Sequence, residues 1–185
     1  MSLNKTPYLC AVGLIISNMM ASCPKYGEYA EQVLSKQMDP AVLAEIQALE
    51  AKGDFANPRY MALLMPNFYE KHILYRPTAE WPDAVNRTFA KLNQQVYVQM
   101  PGPSEFGMAG NLEKWDVSAE LPKIKVPTLV IGATHDTMDP AYMQWMSTQL
   151  PNGRFLLCPD GGHMCMWDDQ AHYFPGLVAF LEESK

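Results

Sequence analysis

The sequence predicts an α/β fold in which a parallel sheet is interrupted by a long helical insert. Three short apolar segments have the character of buried strands, because their apolar residues are continuous rather than alternating. These segments are Val12–Ser17, Pro127–Ala133 and Arg154–Pro159. Helical patterns follow the second and third segments, and this strand–helix–strand–helix order is typical of a parallel sheet with right-handed crossovers.

The two C-terminal helices have recognisable boundaries. A helix is predicted over Pro140–Leu150, with Asp139 as its N-cap and Pro140 at its first position. A last helix is predicted over about Gln170–Glu182, after the third strand. Together with the strands they predict about three parallel strands covered by helices.

More than a hundred residues without a strand pattern separate the first and second strands, and they predict an all-helical subdomain. Asp39-Pro40 begins one helix that Gly53 ends, Asn57-Pro58 begins another with a kink at Pro66, and Pro82-Asp83 begins a third that ends near Met100. We therefore expect an N-terminal arm and first strand over residues 1–22, a helical cap over 23–115 and a C-terminal core over 116–185. Inserts at the carboxyl edge of such sheets commonly cover an active site.

Composition excludes several functional classes. The net charge of −6 argues against a nucleic-acid partner, and no segment is long enough to span a membrane. The four cysteines form no C-x-x-C pair and indicate reduced thiols in a cytoplasmic protein. Met20-Ala21-Ser22-Cys23 resembles a lipoprotein cleavage site, but the preceding apolar run is short and fits a buried strand better.

An acid and a histidine follow the second and third strands directly. Asp136 lies in GATHD after the second strand, and His163 lies in GGHM after the third. Carboxyl ends of neighbouring parallel strands meet at one edge of a sheet, so we expect the two side chains to lie close together. A carboxylate bonded to one ring nitrogen would fix the histidine tautomer and leave the other nitrogen free to act as a base. The alternative is that Asp136 caps the next helix and His163 is an ordinary loop residue.

The stretch His163-Met164-Cys165-Met166 suggests a second interpretation, a copper(I) site built from soft ligands. No second cluster of ligands accompanies it, so these residues fit the packed start of the last helix better. The sequence therefore predicts no metal and no other cofactor.

Several stretches carry a resemblance to a known family. The segments GPSEF, NLEKWDVS, LPKIKVPTLVIGATHD and GGHMCMWDD, in this order and spacing, resemble the C-terminal part of the proline iminopeptidases. These are α/β-hydrolase serine aminopeptidases, and the similarity extends from about Gly13 to the end of the chain. The resemblance implies the C-terminal part of an α/β-hydrolase sheet with a helical cap, and release of N-terminal residues, proline preferred, from peptides or small amides and esters.

The resemblance also implies roles for individual residues. Asp136 would be the acid and His163 the base of a Ser-His-Asp triad, and Glu105 in GPSEF would bind the free α-amino group of the substrate. A second glutamate often follows the triad acid in the family, whereas Thr137 stands there in this chain. The amine site is therefore one charge short of the family's pattern, which weakens the expected preference for an N-terminal proline.

The family's nucleophile motif, G-x-S-x-G, does not occur in the 185 residues. Gly102-Pro103-Ser104-Glu105-Phe106 has the wrong final residue, and Ser17 lacks flanking glycines. We therefore expect a fragment that begins near the family's sixth strand and is inactive alone. An apolar strand edge without its neighbour invites self-pairing, so we expect a homodimer through Val12–Ser17 or the N-terminal arm. The alternative functions are a non-catalytic module that binds a ligand or partner, and a copper-handling protein.

Overall fold

The computed structural model describes residues 12–184, which contain a parallel sheet of three strands in the order β1-β2-β3. The strands are β1 Leu14–Ser17, β2 Thr128–Ala133 and β3 Gly153–Cys158. In register, Leu14 lies opposite Thr128, which lies opposite Gly153 on the other side. The three predicted strands are confirmed with slightly shifted bounds, and the part of the N-terminal arm before residue 12 lies outside the described residues.

Burial differs among the strands. Strand β2 is buried along its whole length, and Val130 and Ile131 are 0% exposed. Strands β1 and β3 are only half-buried, with Ile15 and Leu157 exposed. The expectation of buried strands is therefore wrong for β1 and β3, because the described residues cover their side chains only in part.

Helices make up most of the remaining described chain. The α-helices are α1 Cys23–Tyr29, α2 Pro40–Ala51, α3 Pro58–Leu64, α4 Asp83–Ala90, α5 Gln94–Gln99, α6 Pro140–Gln149, α7 Cys165–Asp168 and α8 Gln170–Glu183. Two π-helical segments, Ala30–Leu34 and Met65–Ile73, continue α1 and α3, and short 3₁₀ segments cover Ser35–Gln37, Thr78–Glu80 and Ser118–Lys123. Helices α6 and α8 lie where the sequence predicts them, and Asp139 caps α6 by accepting a hydrogen bond from Ala141 N.

The cap helices differ from the prediction in two places. The predicted helix from Pro82 to Met100 is wrong, because the chain forms α4 and α5 with a break between them, at which Asn93 caps the new helix through Val96 N. At Pro66 the helix widens into a π-helix rather than only bending. Proline has no N–H and its ring would clash with the carbonyl one α-turn earlier, and a wider turn relieves both problems.

The two ends of the helical insert meet at its base. Ser22 and Asp116 form an isolated antiparallel bridge, and Val117 N donates to Ala21 O at 2.8 Å. The insert thus leaves and re-enters the sheet region at one place. The division at residues 22/23 and 115/116 remains a prediction.

Three clusters of buried apolar side chains hold the described residues together. One lies within the cap and includes Leu64 and Phe68, and the other two lie on opposite sides of β2, around Val130 and Ile131. Partly buried Met164 and Trp167 pack against the cap cluster, so the segment after His163 joins the sheet region to the cap. Among residues 12–184, no helix has the length and apolarity needed to cross a membrane.

Candidate active site

The carboxyl end of β2 holds a fully buried acid. Asp136 is 0% exposed, and its Oδ1 accepts a hydrogen bond from Met138 N at 3.0 Å. Its Oδ2 accepts one from Asn18 Nδ2 at 2.7 Å. A buried carboxylate with hydrogen-bond donors on both oxygens is held in one orientation, and both of its polar atoms are paired.

The carboxyl end of β3 brings a histidine to this acid. His163 Nδ1 lies 2.9 Å from Asp136 Oδ1, and the imidazole side chain is 26% exposed. Burial opposes protonation of the ring, but the Asp136 carboxylate outweighs it and raises the pKa of His163 to about 9. The sequence expectation that these two side chains meet is therefore met by the geometry.

Two backbone hydrogen bonds connect the loop that carries His163 to the cap. His163 N donates to His72 O at 2.7 Å, and Met164 N donates to Ile73 O at 2.8 Å. A side chain at Gly162 would place its Cβ 2.9 Å from His72 O, which is too close for any residue but glycine. The glycines before His163 therefore permit close approach of two backbones.

The carboxylate of Asp168 makes a second connection between the His163 loop and the cap. Its Oδ2 accepts hydrogen bonds from Gly162 N at 3.0 Å and from Tyr75 N at 2.9 Å. The guanidinium of Arg76 lies 3.5 Å from the other oxygen. Asp168 thus connects the histidine loop to the end of the cap's π-helical segment, and the orientation of His163 depends on the cap.

The GPSEF loop brings Glu105 over the same edge of the sheet. Positive φ angles at Gly102 (128°) and Gly107 (97°) bracket the loop and allow its tight path. The hydroxyl of Tyr97 donates to Glu105 Oε1, and that of Tyr26 donates to the Glu105 carbonyl oxygen. Glu105 N donates to Tyr69 Oη at 3.2 Å. Burial and the Glu105 charge raise the pKa values of Tyr26 and Tyr97, so both hydroxyls keep their protons.

Glu105 and His163 line one cavity. Its volume is about 490 Å³, and apolar side chains, most of them from the cap, make up much of its wall. Val96, Met100 and Met138 are among the apolar lining residues, and Glu105 is the carboxylate residue among the described lining residues. Thr137, in contrast, is 0% exposed and is not among the lining residues of this cavity. Its hydroxyl lies 3.4 Å from Asp136 Oδ1. The cavity therefore combines one anionic group, one histidine and an apolar wall.

Ser17 and Ser104, the two serines compared above with the nucleophile motif, make hydrogen bonds to other residues. So does Cys165, two positions after His163. Ser104 Oγ is hydrogen-bonded to Tyr60 Oη at 3.0 Å and accepts a hydrogen bond from Phe106 N. Ser17 Oγ donates a hydrogen bond to Asn18 Oδ1. Cys165 is buried and its thiol donates to Asn18 Oδ1 at 3.3 Å. The stretch after His163 forms α7, separate from the last helix, contrary to the expectation that it begins that helix.

One group of side chains outside the cavity has metal-ligating atoms close together. Asp160, Asp169 and His172 each place a possible ligand atom within 4.8 Å of the others. Asp169 already accepts hydrogen bonds from His172 Nδ1 at 2.7 Å and from Asp160 N, and it caps α8. These bonds account for the arrangement as the start of a helix.

Sequence reasoning missed Asn18, Asp168 and the tyrosines around Glu105. Asn18 follows β1 directly, so the rule that placed Asp136 and His163 at strand ends could also have found it. The tyrosines come from separate cap helices, and no sequence pattern indicates that they lie near Glu105.

The family comparison agrees with this geometry. A model described as the alpha/beta hydrolase fold matches residues 54–170, more than half of the chain. The chain belongs to the α/β-hydrolase fold family. Among the relatives of this α/β hydrolase, a proline iminopeptidase of Flavobacterium johnsoniae is 52% identical over 171 residues, and one of Elizabethkingia meningoseptica is 53% identical over 173 residues. The resemblance to proline iminopeptidases is thus confirmed.

Solved structures of related proteins also match. A crystal structure of VinJ superposes with a TM-score of 0.87 at 26% identity and covers 94% of this chain. A proline iminopeptidase from Mycobacterium smegmatis superposes with a TM-score of 0.76 at 28% identity, also over 94% of this chain. The chain spans 57% of the length of the two bacterial relatives and 57–58% of these two solved chains.

Proposed function

We propose that this chain provides the acid, the base and the substrate-binding cap of a proline iminopeptidase-type serine hydrolase. The observation that carries the proposal is the hydrogen-bonded Asp136–His163 pair, whose histidine shares a cavity with Glu105. The named relatives are proline iminopeptidases. In this role the enzyme removes an N-terminal residue, proline preferred, from a peptide or a small amide.

Each residue has a defined task in this proposal. His163 takes the proton of a serine nucleophile through Nε2, while Asp136 fixes the tautomer by accepting at Nδ1 and stabilises the imidazolium. Glu105 pairs with the charged amine of the substrate, which distinguishes a free N-terminus from an internal amide. The 185 residues contain no G-x-S-x-G motif, so we expect no turnover from them alone.

A chimera tests the proposal. The aligned segment of the Flavobacterium johnsoniae relative is replaced by its counterpart from this chain, and hydrolysis of proline p-nitroanilide is compared with that of its N-acetyl derivative. We expect turnover of the free-amine substrate and little of the blocked one. A folded chimera that hydrolyses neither substrate would favour the alternative, a remnant that binds a ligand or partner without catalysis.

Changing Glu105→Gln in this chimera should lower kcat/KM for the free-amine substrate about a hundredfold, because a buried charge pair with the amine is lost. Most of the change should be in KM, since Glu105 does not contact the reacting carbonyl in this proposal. The matched control is Glu113→Gln, an exposed glutamate of the same region. Equal effects of the two variants would argue against amine binding by Glu105.

We also infer a homodimer formed through the edge of β1 that faces away from β2. Leu14 N donates to Pro127 O, directly before β2, and Asn18 N donates to Ile131 O within it. By strand alternation, the N–H groups of Ile15 and Ser17 point away from β2. Ile15→Pro removes one outward N–H without breaking the ladder with β2. We expect wild type to dimerise with rising concentration in sedimentation velocity, Ile15→Pro to be monomeric, and the control Ile15→Thr to dimerise. A monomeric wild type would refute the dimer.

A cytoplasmic location and the absence of nucleic-acid and membrane partners remain part of this proposal. Support comes from the acidic net charge and from the free thiols of Cys23, Cys158 and Cys165, which are all buried.

A further inference from the structure

Asn18 occupies an unusual backbone position at the carboxyl end of β1. Its φ of 52° lies in the left-handed region, which asparagine tolerates better than most residues. Asn18 N still donates to Ile131 O at 2.9 Å, so the residue continues the β1–β2 ladder before the chain turns away. The side chain is thereby directed into the sheet edge, where it is 4% exposed.

The side-chain amide of Asn18 joins the acid to the histidine loop. Nδ2 donates to Asp136 Oδ2 at 2.7 Å and lies 3.5 Å from Gly162 O. Oδ1 accepts from Ser17 Oγ at 2.8 Å and from Cys165 Sγ at 3.3 Å. The chemistry fixes this orientation of the amide, because an ionised carboxylate only accepts hydrogen bonds and needs the NH₂ group opposite it.

The two oxygens of Asp136 have separate partners. Oδ1 receives His163 Nδ1, Met138 N and the Thr137 hydroxyl, whereas Asn18 is the hydrogen-bond partner that the described residues provide to Oδ2. Without the amide, the buried Oδ2 would have no hydrogen-bond donor among these residues. A buried charged group without a donor lowers the stability of the folded state.

We propose that Asn18 is a positioning residue of the acid–base pair, whose amide holds Asp136 Oδ2 so that Oδ1 faces His163. The inference rests on the proposed role of the pair. Its test uses proton binding by the chain itself and needs no substrate, so it can fail independently of the enzymatic proposal.

The amide should set how tightly His163 holds its proton. When His163 is neutral, the buried Asp136 carboxylate still accepts hydrogen bonds from Asn18, Met138 N, the Thr137 hydroxyl and the ring Nδ1–H. If the amide is removed, the imidazolium becomes the main compensation, so the proton is held more tightly. If the substitution only loosened the packing of the site, the pKa of His163 would instead fall towards its ordinary value of 6.5.

Few other titratable groups act on this pair. The Asp136 charge also affects the pKa values of His72 and Tyr29, and that of Cys165, while Glu105 acts on His163 from the cap. None of these residues is changed in the variants below, but Asn18→Gly and Asn18→Ala both remove the oxygen that accepts from the Cys165 thiol.

The experiment follows the His163 ring by NMR as a function of pH in wild type, Asn18→Gly and Asn18→Ala. Glycine accepts the positive φ without strain, and agreement between the two variants separates loss of the amide from any backbone effect. We expect the proton affinity of His163 to rise about three- to tenfold in both. The control Ser17→Ala removes a bond to the other end of the amide and should change the affinity less than twofold.

A folded Asn18→Gly protein with unchanged or weaker proton affinity at His163 would overturn the proposal. Should neither variant fold, wild type still decides the question. The side-chain NH₂ resonances of Asn18 should shift with the same midpoint as the His163 ring, because they donate to the carboxylate that the imidazolium neutralises. Amide resonances that stay constant across that midpoint would also overturn it.

Discussion

Replacing His163 by alanine in the chimera should lower kcat for proline p-nitroanilide about 10⁴-fold, with little change in KM. The imidazole is the one group among the described cavity residues that is placed to take the proton of a nucleophile, since its Nδ1 faces Asp136 at 2.9 Å and its ring lines the cavity with Glu105. Loss of an interaction made only during the reaction lowers kcat and kcat/KM together. Steady-state kinetics at several substrate concentrations separate the two constants.

The chain offers a close control in His172. Its Nδ1 lies 2.7 Å from Asp169 Oδ1, so it forms the same kind of pair as His163, but its side chain is 50% exposed at the start of α8. His172→Ala should leave kcat within about twofold of the unmodified chimera. If His163→Ala were as active as His172→Ala, the acid–base role of His163 would be wrong.

The charge state of His163 also gives a pH dependence in the unmodified chain. Its pKa is raised from 6.5 to about 9, so the folded state binds the proton more tightly than the unfolded state. The stability contributed by the pair is therefore fully present below pH 6.5 and is lost as the pH rises through about 9. Urea unfolding should show wild type more stable than His163→Ala at about pH 6, with the difference reduced at about pH 10.

The sequence predicts the sheet and the acid–base pair because both depend on short-range patterns. Apolar runs define the strands, Asp139-Pro140 begins α6, and parallel strands place the residues that follow them at one edge. The proximity of Asp136 and His163 follows from the adjacency of β2 and β3.

The cap is less predictable because its positions depend on contacts between residues far apart in sequence. Tyr26 meets Glu105 across 79 positions, and Tyr69 meets it across 36. The break between α4 and α5 and the π-helical segment at Pro66 are changes of helix geometry that apolar periodicity alone does not reveal. The periodicity that predicts a helix carries no information on which helix a tyrosine will face.

Phe68 shows how the cap's core supports the site, and its replacement by alanine should cause a large loss of stability. The side chain is 0% exposed on the π-helical segment, and its ring lies 5.0 Å from that of Phe106 and 5.1 Å from that of His72. Removing a buried phenylalanine side chain usually costs about 3–5 kcal/mol, part of it from the cavity that remains. Since small domains have about 5–15 kcal/mol in total, the variant would be close to unfolding.

The two neighbours of Phe68 connect this loss to the site. Phe106 follows Glu105, and the carbonyl oxygen of His72 accepts the backbone N–H of His163. Phe68→Ala should therefore lower the urea midpoint and increase amide exchange in both the GPSEF loop and the histidine loop. Phe174→Ala is the matched control, because the same atoms are removed from a residue that is 45% exposed on α8. A free energy of unfolding reduced equally by both substitutions would show that Phe68 does not hold the cap to the site.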